Sequence, residues 1–448
     1  MPEMARTAVV GAGPAGIYTA EALLKLGHRV DVLDRLSCPY GLLRYGVAPD
    51  HLKMKALEKT LRRILDRDGV RFFGEVTLGE TITVDELRGH YDAIVYATGA
   101  ADDRSLSIPG EDLPGSLSAT RFVSWYSGHP DIASRDVALD AHTAVVVGAG
   151  NVALDVTRLL TKSAEQFHGT DMPDRVLDTL RASPITDVHL IARRGPAQAK
   201  FTTKELRELG ELGNADVLVD PADLELDEHS EQLAEQDGGV RRNLDVLHEW
   251  AQRSPLDRER RIHLRFWRSP VRITGADRVE GVELGRNTPD GAGGIRAGGE
   301  TEMLAAGLVL RSIGYRGRPL PGVPFDERTG TIPHCEGRVL RAGRVAPAEY
   351  TVGWAKRGPS GVIGTNKADA RETVAALAED WEHQTGRNRG DRPDLADTLA
   401  GRGHAAITWQ GWLAIEAAER ELGRRLGRGA VKITDPDQLR AVVRMVLR

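Results

Sequence analysis

Cysteine is almost missing from this chain. Cys38 and Cys335 are the only two among 448 residues, far apart and in neither CxxC nor CxxxxC spacing. That removes a disulfide framework, a cysteine-rich metal site and a redox-active disulfide as economical readings, and it fits a reducing compartment. No metal site is expected. Eighteen apolar residues never occur together without a charge, so no membrane span is expected either. MPEMAR runs straight into an apolar strand and glycine turn, without the n-region, h-region and cleavage site of a secretory signal. The expected location is the cytoplasm. Neither sign of charge is in large excess: 60 Lys and Arg against 65 Asp and Glu give a formal net charge of -5, with no sign of a general nucleic-acid binder. With 41% hydrophobic residues the chain can bury a large core and divide it into about two or three domains.

What is present is glycine in a particular order. In ARTAVVGAGPAGIYTAEALLKLGHRVDVLDR, Ala8 to Val10 suits a buried parallel strand, and Ile17 to Leu26 carries helical apolar spacing. Between them Gly11 permits a tight bend, Gly13 lets the backbone approach a pyrophosphate, and Gly16 allows helix to pack closely on strand. A second strand, Val30 to Leu33, ends in Asp34, where a ribose-binding carboxylate is expected. Together these predict a dinucleotide site. YDAIVYATGA, residues 91 to 100, reads as a later strand of the same sheet.

The pattern recurs in VVVGAGNVALDV with Gly148, Gly150 and Ala153. Here the following strand, DVHLIARRG, ends in Arg193 and Arg194 instead of an acid. A carboxylate would bond the free 2'-hydroxyl of NAD, whereas guanidinium groups suit a 2'-phosphate, so this second site favours NADPH. The alternative is that the two arginines merely solubilise a strand end. The distance from Gly148 to Arg193 exceeds the usual spacing, so residues 159 to 184 must hold an extended or additional helix. Two unlike sites suit a resident FAD and a visiting NADPH.

Five segments carry a resemblance: PYGLLRYGVAPDH (39 to 51), GAGNVALDVTRLL (148 to 160), ARRGPAQAKFTTKELREL (192 to 209), LRFWRSP (264 to 270) and YTVGWAKRGPSGVIGTNKADA (350 to 370). Together they resemble adrenodoxin reductase and its bacterial ferredoxin-NADP reductase relatives, from the first strand to about residue 375. The resemblance implies an α/β fold of glutathione-reductase-like architecture: two Rossmann-like, three-layer dinucleotide-binding domains, the NADP domain inserted into the FAD domain. It implies FAD contacts at Gly11, Gly13, Ala15, Gly16, Asp34, Leu42, Leu78, Trp354, Gly361, Val362 and Ile363, and NADP contacts at Gly150, Asn151, Val152, Arg193, Arg194, Glu205 and Gly361. Asp34 stands where relatives usually have Glu. On its own Trp354 reads as a core aromatic; only the motif makes it a flavin contact. The glycine-rich approach to a helix at GPSGVIGTNKADA could aim a helix N-terminus at the flavin and stabilise its reduced, negative form.

The activity implied is hydride transfer from NADPH to FAD, then single electrons to a ferredoxin-type iron-sulfur protein, feeding an oxygenase such as a cytochrome P450. His51 and Asp155 correspond to family positions near the flavin and the electron exit, and are the catalytic candidates. Equally, His51 can be a hydrogen-bonded loop histidine and Asp155 a first-turn helix acid. The rival enzyme reading has quinone, oxygen or a small organic molecule as acceptor. A redox-sensing protein that holds both cofactors without sustained turnover is the rival from another class. The missing cysteine pair disfavours a flavin disulfide reductase, and the missing N-terminal cysteine-rich segment disfavours a glutamate synthase small subunit.

An acidic ferredoxin calls for a basic face. Residues 241 to 272 hold nine arginines against Asp245, Glu249, Asp257 and Glu259, so Arg241, Arg242 and their neighbours are candidates for docking. Residues 220 to 237 hold eight acids, and internal pairing is the other reading. Expected boundaries are 1–105 for the first part of the FAD domain, 106–325 for the NADP domain, and 326–448 for the rest of the FAD domain with a C-terminal helical extension. Residues 285 to 300 read as a glycine-rich hairpin loop, and 385 to 404 as a polar connection before a final helix.

Overall fold

Short β-branched runs become the centres of two parallel sheets, because a strand buried on both faces has no use for alternating polarity. The computed structural model describes residues 5–132, 136–383 and 392–446. Its packing falls into two units, one from Met1–Asp102 with Tyr315–Arg448, the other from Asp103–Gly314. The second unit ends at Gly314, just after its strand Leu308–Arg311, and Gly314 has φ +111.

In the first unit, five parallel strands run side by side in the order Arg344–Thr351, Ala93–Tyr96, Arg6–Val10, Arg29–Leu33 and Val70–Phe73. Arg338–Arg341 and His334–Cys335 extend one edge antiparallel. The strand Arg6–Val10 therefore has neighbours that lead in opposite directions, and its carboxyl end opens into the crevice where such sheets bind ligands. Val9, Val30, Val32 and Val95 are fully buried. Each such side chain contributes about 1.5–3 kcal/mol by leaving water.

The second unit repeats the device. Its six parallel strands are ordered Ser116–Ser118, Leu308–Arg311, Thr143–Val147, Asp187–Ile191, Arg260–Arg265 and Ala215–Val219. Thr143–Val147 now occupies the switch point. Helices cover one face, and an antiparallel sheet of Arg268–Thr274, Gly281–Pro289 and Ile295–Ala305 packs on part of the other through Ile273, Val282 and Leu284. The long spacing before Arg193 is filled by a 3-10 turn, Ala164–Phe167, and an additional helix, Asp174–Arg181.

Two expected loops shrink. Most of residues 285 to 300 lie in strands, and the hairpin turn is confined to the stretch where Asp290 Oδ1 accepts the amides of Ala292 and Gly294, each at 2.8 Å. Of the connection 385 to 404, residues 385–391 lie outside the described residues, and Leu395–Gly401 is a helix capped by Asp394. The helix expected to be the final one spans Trp409–Arg425 and is followed by another, Pro436–Val446.

Candidate functional site

The first glycine turn is enforced by close approach. Gly11 sits at φ +114, and a Cβ on it would lie 2.4 Å from the Ala97 carbonyl oxygen. On Gly16 it would lie 1.9 Å from the Gly11 oxygen. On Gly13 it would meet nothing within 4 Å, so the space before the turn is open. The helix Pro14–Lys25 starts there without a side-chain cap. Thr83, Ser118, Thr202 and Thr408 do cap the helices they precede. An uncapped N-terminus leaves amide donors directed at an anion. Asp34 accepts the Ala12 amide at 2.8 Å and the Leu36 amide at 2.9 Å. Burial raises its pKa while those amides work to lower it. Its two oxygens thus brace the turn, with lone pairs left for a ribose hydroxyl.

The other residues expected at this site lie in the same unit. Leu42 opens a short helix, Leu42–Tyr45, and Leu78 is buried in a core shared with Val10 and Leu33. Gly353, at φ +71, would place a Cβ 2.6 Å from Ala15 Cβ, so the turn carrying Trp354 lies against the first helix. Its amide donates to Asp369 Oδ2 at 2.5 Å, and Lys356 pairs with Asp369 at 3.0 Å, both side chains buried. Trp354 Nε1 donates to the Ser360 carbonyl at 3.0 Å, and its ring tilts against Tyr315 with centroids 5.3 Å apart. Gly361 is at φ +81, Val362 is 73% exposed, and Ile363 packs on the core just before the helix Thr365–His383.

The second turn has the same backbone and different surroundings. Gly148, at φ +140, would bring a Cβ to 2.1 Å from the Ser312 oxygen; Gly150 has nothing within 4 Å and again precedes an uncapped helix, Asn151–Thr161. Val152 lies in its first turn, and Ala153 is wholly buried beneath it. Asn151 Oδ1 accepts the Thr202 amide at 2.8 Å, tying the turn to the helix Thr203–Gly210, where Glu205 pairs with Lys204 at 3.3 Å. Arg193 is exposed and Arg194 half-buried. Neither guanidinium has a hydrogen bond or ion pair among the described residues. Their backbone is held firmly: Asn287 donates to the Arg193 carbonyl at 2.8 Å, Trp267 N–H to the Arg194 carbonyl at 3.3 Å, and the Trp267 ring fills the space beside Gly195. A fixed backbone carrying two unpaired cations fits a 2'-phosphate.

Comparison with known proteins gives the family and the fold. A model of the pyridine nucleotide-disulphide oxidoreductases matches residues 5–209. The chain is 44% identical to the NADPH-ferredoxin reductase FprA of Mycobacterium tuberculosis, over 96% of this chain and 97% of that one. It is 37% identical to the mitochondrial NADPH:adrenodoxin oxidoreductase of Arabidopsis thaliana, over 93% and 90%. The structure of Mycobacterium tuberculosis FprA in complex with NADPH matches with a TM-score of 0.92 and 43% identity, covering both chains completely. The chain belongs to the FprA and adrenodoxin reductase family. Its cofactors are FAD and NADP(H), and the fold is that of two Rossmann-like domains.

For this family member the arginine-rich segment resolves into two parts. Arg253 pairs with Glu249, Arg258 with Asp216, Arg261 with Asp187, Arg265 and Arg268 with Glu302, and Arg272 with Glu283, while Arg260 donates to the carbonyls of Leu160, Thr161 and Lys162. Arg241 and Arg242 are exposed and have no such partner among the described residues. Internal pairing therefore accounts for most of the arginine excess. Of the acids between 220 and 237, Asp223 takes part, bonding Arg268 and Arg286. His51 precedes the short helix Leu52–Lys55 in the first unit; Asp155, in the second, pairs with Arg158 at 2.8 Å. No helix among the described residues is long and apolar enough to cross a membrane.

Sequence reasoning did not single out Asn287, Trp267 or Asp369. Trp267 does lie inside the LRFWRSP motif, between the strands Arg260–Arg265 and Arg268–Thr274, but that reasoning read no role into it. It also passed over Asp187, His189 and His263, which lie close enough together to suggest an ion. Their geometry argues otherwise. The imidazoles stack with centroids 4.1 Å apart and planes 5° from parallel. A metal lies in the plane of each ligating ring about 2 Å from nitrogen, and two parallel planes share no such point. Asp187 is occupied by Arg261 and by His263 Nε2 at 2.9 Å. Burial holds His189 down at about 3 and lowers His263 as well.

Proposed function

We propose that this protein is an FAD-dependent NADPH-ferredoxin reductase. The observation that carries the reading is the contrast between two like turns: both helices start uncapped, but only the second is followed by unpaired arginines where a ribose-binding acid would stand. FAD, held by the first unit, would supply the conversion between two-electron hydride chemistry with NADPH and single-electron transfer to an iron-sulfur acceptor.

The residues of the chain bind and orient. Gly11, Gly13, Ala15 and Gly16 receive the FAD pyrophosphate, Asp34 its ribose, and Leu42, Leu78, Trp354, Gly361, Val362 and Ile363 the remainder. Gly150, Asn151 and Val152 receive the NADPH pyrophosphate, Arg193 and Arg194 its 2'-phosphate, and Glu205 and Gly361 complete that set. The N-terminus of the helix Thr365–His383 favours negative charge beside it. His51 and Asp155 are assigned to proton handling and partner coupling, and Arg241 and Arg242 to docking an acidic ferredoxin. The electrons then serve an oxygenase, and the working compartment is the cytoplasm.

The test is anaerobic reduction of the purified protein by NADPH, followed by cytochrome c reduction with and without a catalytic amount of added ferredoxin. Cytochrome reduction that requires ferredoxin, and is faster with NADPH than with NADH, supports the reading. Flavin bleaching without acceleration by any ferredoxin would move the acceptor to a quinone, oxygen or an organic molecule, and bleaching without sustained flow to any acceptor would indicate a sensor.

A further inference from the structure

The first unit contains a buried charged cluster that the proposed chemistry does not use. Arg44, Glu419 and Lys432 are only 5%, 4% and 4% exposed. Arg44 donates to Glu419 Oε1 at 2.6 Å, and the same oxygen accepts the Ile433 amide at 2.9 Å. Lys432 Nζ donates to the Arg44 carbonyl at 2.8 Å. The Arg44 guanidinium lies over the rings of Trp412 and Tyr45, 5.0 and 5.1 Å from their centroids. Trp412 also meets Tyr40 edge-on, with centroids 5.7 Å apart. The contacts of Arg44 with Glu419, Lys432 and Trp412, and of Tyr40 with Trp412, join the C-terminal segment, 412 to 433, to the loop and short helix from Tyr40 to Tyr45.

That loop adjoins the FAD turn. The Tyr40 amide donates to the Ala12 carbonyl at 2.8 Å, and a Cβ on Gly41 would lie 3.0 Å from Gly13 Cα. Tyr40 and Gly41 both have positive φ, +83 and +50. A tyrosine does not hold that conformation unaided, so surrounding structure must impose it. We infer that residues 412 to 433 are a positioning element of the FAD site: Glu419, through Arg44 and Trp412, holds the Tyr40–Tyr45 loop against the glycine turn so that the space before Gly13 keeps its shape. Removing the carboxylate charge leaves buried cations without their counter-ion, a costly state. Outward movement of the short loop relieves it, and the movement opens the FAD turn. The inference rests on assigning FAD to the first unit.

The experiment is FAD release from the holoenzyme, followed by the rise in free-flavin fluorescence, together with NADP+ affinity and melting temperature. Glu419→Gln should raise the FAD dissociation constant ten- to hundredfold and leave NADP+ affinity within twofold. Excess FAD should restore dye reduction by NADPH. Lys432→Met should act in the same direction by three- to tenfold, and Glu421→Gln, an exposed change on the same helix, should do nothing. An FAD dissociation constant within twofold of the parent, with a lowered melting temperature, overturns the inference and leaves Glu419 a stability residue. Should Glu419→Gln fail to fold, Lys432→Met and Trp412→Phe decide by the same readout. A parent protein that purifies without flavin would instead overturn the assignment of FAD.

Discussion

The two glycine turns share a backbone and differ in what their own chain does next to them. In the first unit the chain closes in: Asp34 bonds two amides of the turn region, Tyr40 bonds Ala12, and Gly353 presses on Ala15. In the second unit Lys200 likewise bonds the Ala149 carbonyl, at 2.7 Å, and Thr202 bonds Asn151; what differs is that Arg193 and Arg194 stand nearby on a firmly held backbone with unpaired side chains. A braced carboxylate suits a ribose hydroxyl, while unpaired guanidinium groups suit a phosphate.

The largest expected break in that comparison comes from the turn glycines. Gly11→Ala combines a left-handed φ with a Cβ 2.4 Å from a carbonyl oxygen. It should cost about 3 kcal/mol or more and yield protein without flavin, read from the absorbance at 450 nm that remains after gel filtration, on the order of a tenth of the parent value. Gly150→Ala, which meets no atom of the chain, should keep its FAD in full and lose only NADPH affinity. Equal loss of flavin in both variants would erase the distinction between the units.

Next in size is the double variant Arg193→Ala/Arg194→Ala. A charge-assisted hydrogen bond contributes about 1.5–3 kcal/mol, so loss of even one to the 2'-phosphate should raise the Michaelis constant for NADPH about ten- to hundredfold, and loss of both by at least that much, while that for NADH changes little. Parallel changes for both nucleotides would count against 2'-phosphate recognition. A smaller effect is expected from Arg241→Glu/Arg242→Glu. Ferredoxin-dependent turnover should fall by about three- to tenfold at low salt, converge on the parent rate as salt rises, and leave dye reduction unaltered. An unchanged ferredoxin rate would remove these two arginines from the docking face.

The smallest expected effect is on pH dependence, where the units should differ in sign. His189 has an ordinary pKa of 6.5 and is held down at about 3 by burial. The unfolded chain binds this proton first, so the contribution of His189 is present above pH 6.5 and is lost progressively as pH falls towards 3. Asp34 is shifted upwards from 3.8, so acidification relieves the cost of its burial. Melting curves between pH 7 and 4.5 should show His189→Phe flattening the acid loss by a few degrees. A slope identical to that of the parent would show that the histidine stack does not stay neutral.

Much of this was legible in the chain itself. The strand, turn and helix of each nucleotide unit follow from valine runs and glycine spacing, and the strand Arg29–Leu33 does end at Asp34. The arginine excess between 241 and 272 was not interpretable, because its partners come from Asp187, Asp216, Glu283 and Glu302, which the chain brings near only when the sheets form. The hairpin at 285 to 300 looked like a loop because glycines normally weaken strands, yet Gly298 and Gly299 lie inside one, at the register shift between the paired residues Ala297 and Thr301, where an irregularity accommodates glycine.

The sequence by itself determined that there are two dinucleotide turns and that their charges differ, since both properties depend on residue type and on spacing within a few tens of residues. Only the tertiary structure decided which arginines are free to meet a ligand or a partner. It alone joined the C-terminal segment to the loop beside Gly13. Charge pairing and burial act between atoms a few ångströms apart in space, and Arg44 and Glu419 meet although most of the chain separates them.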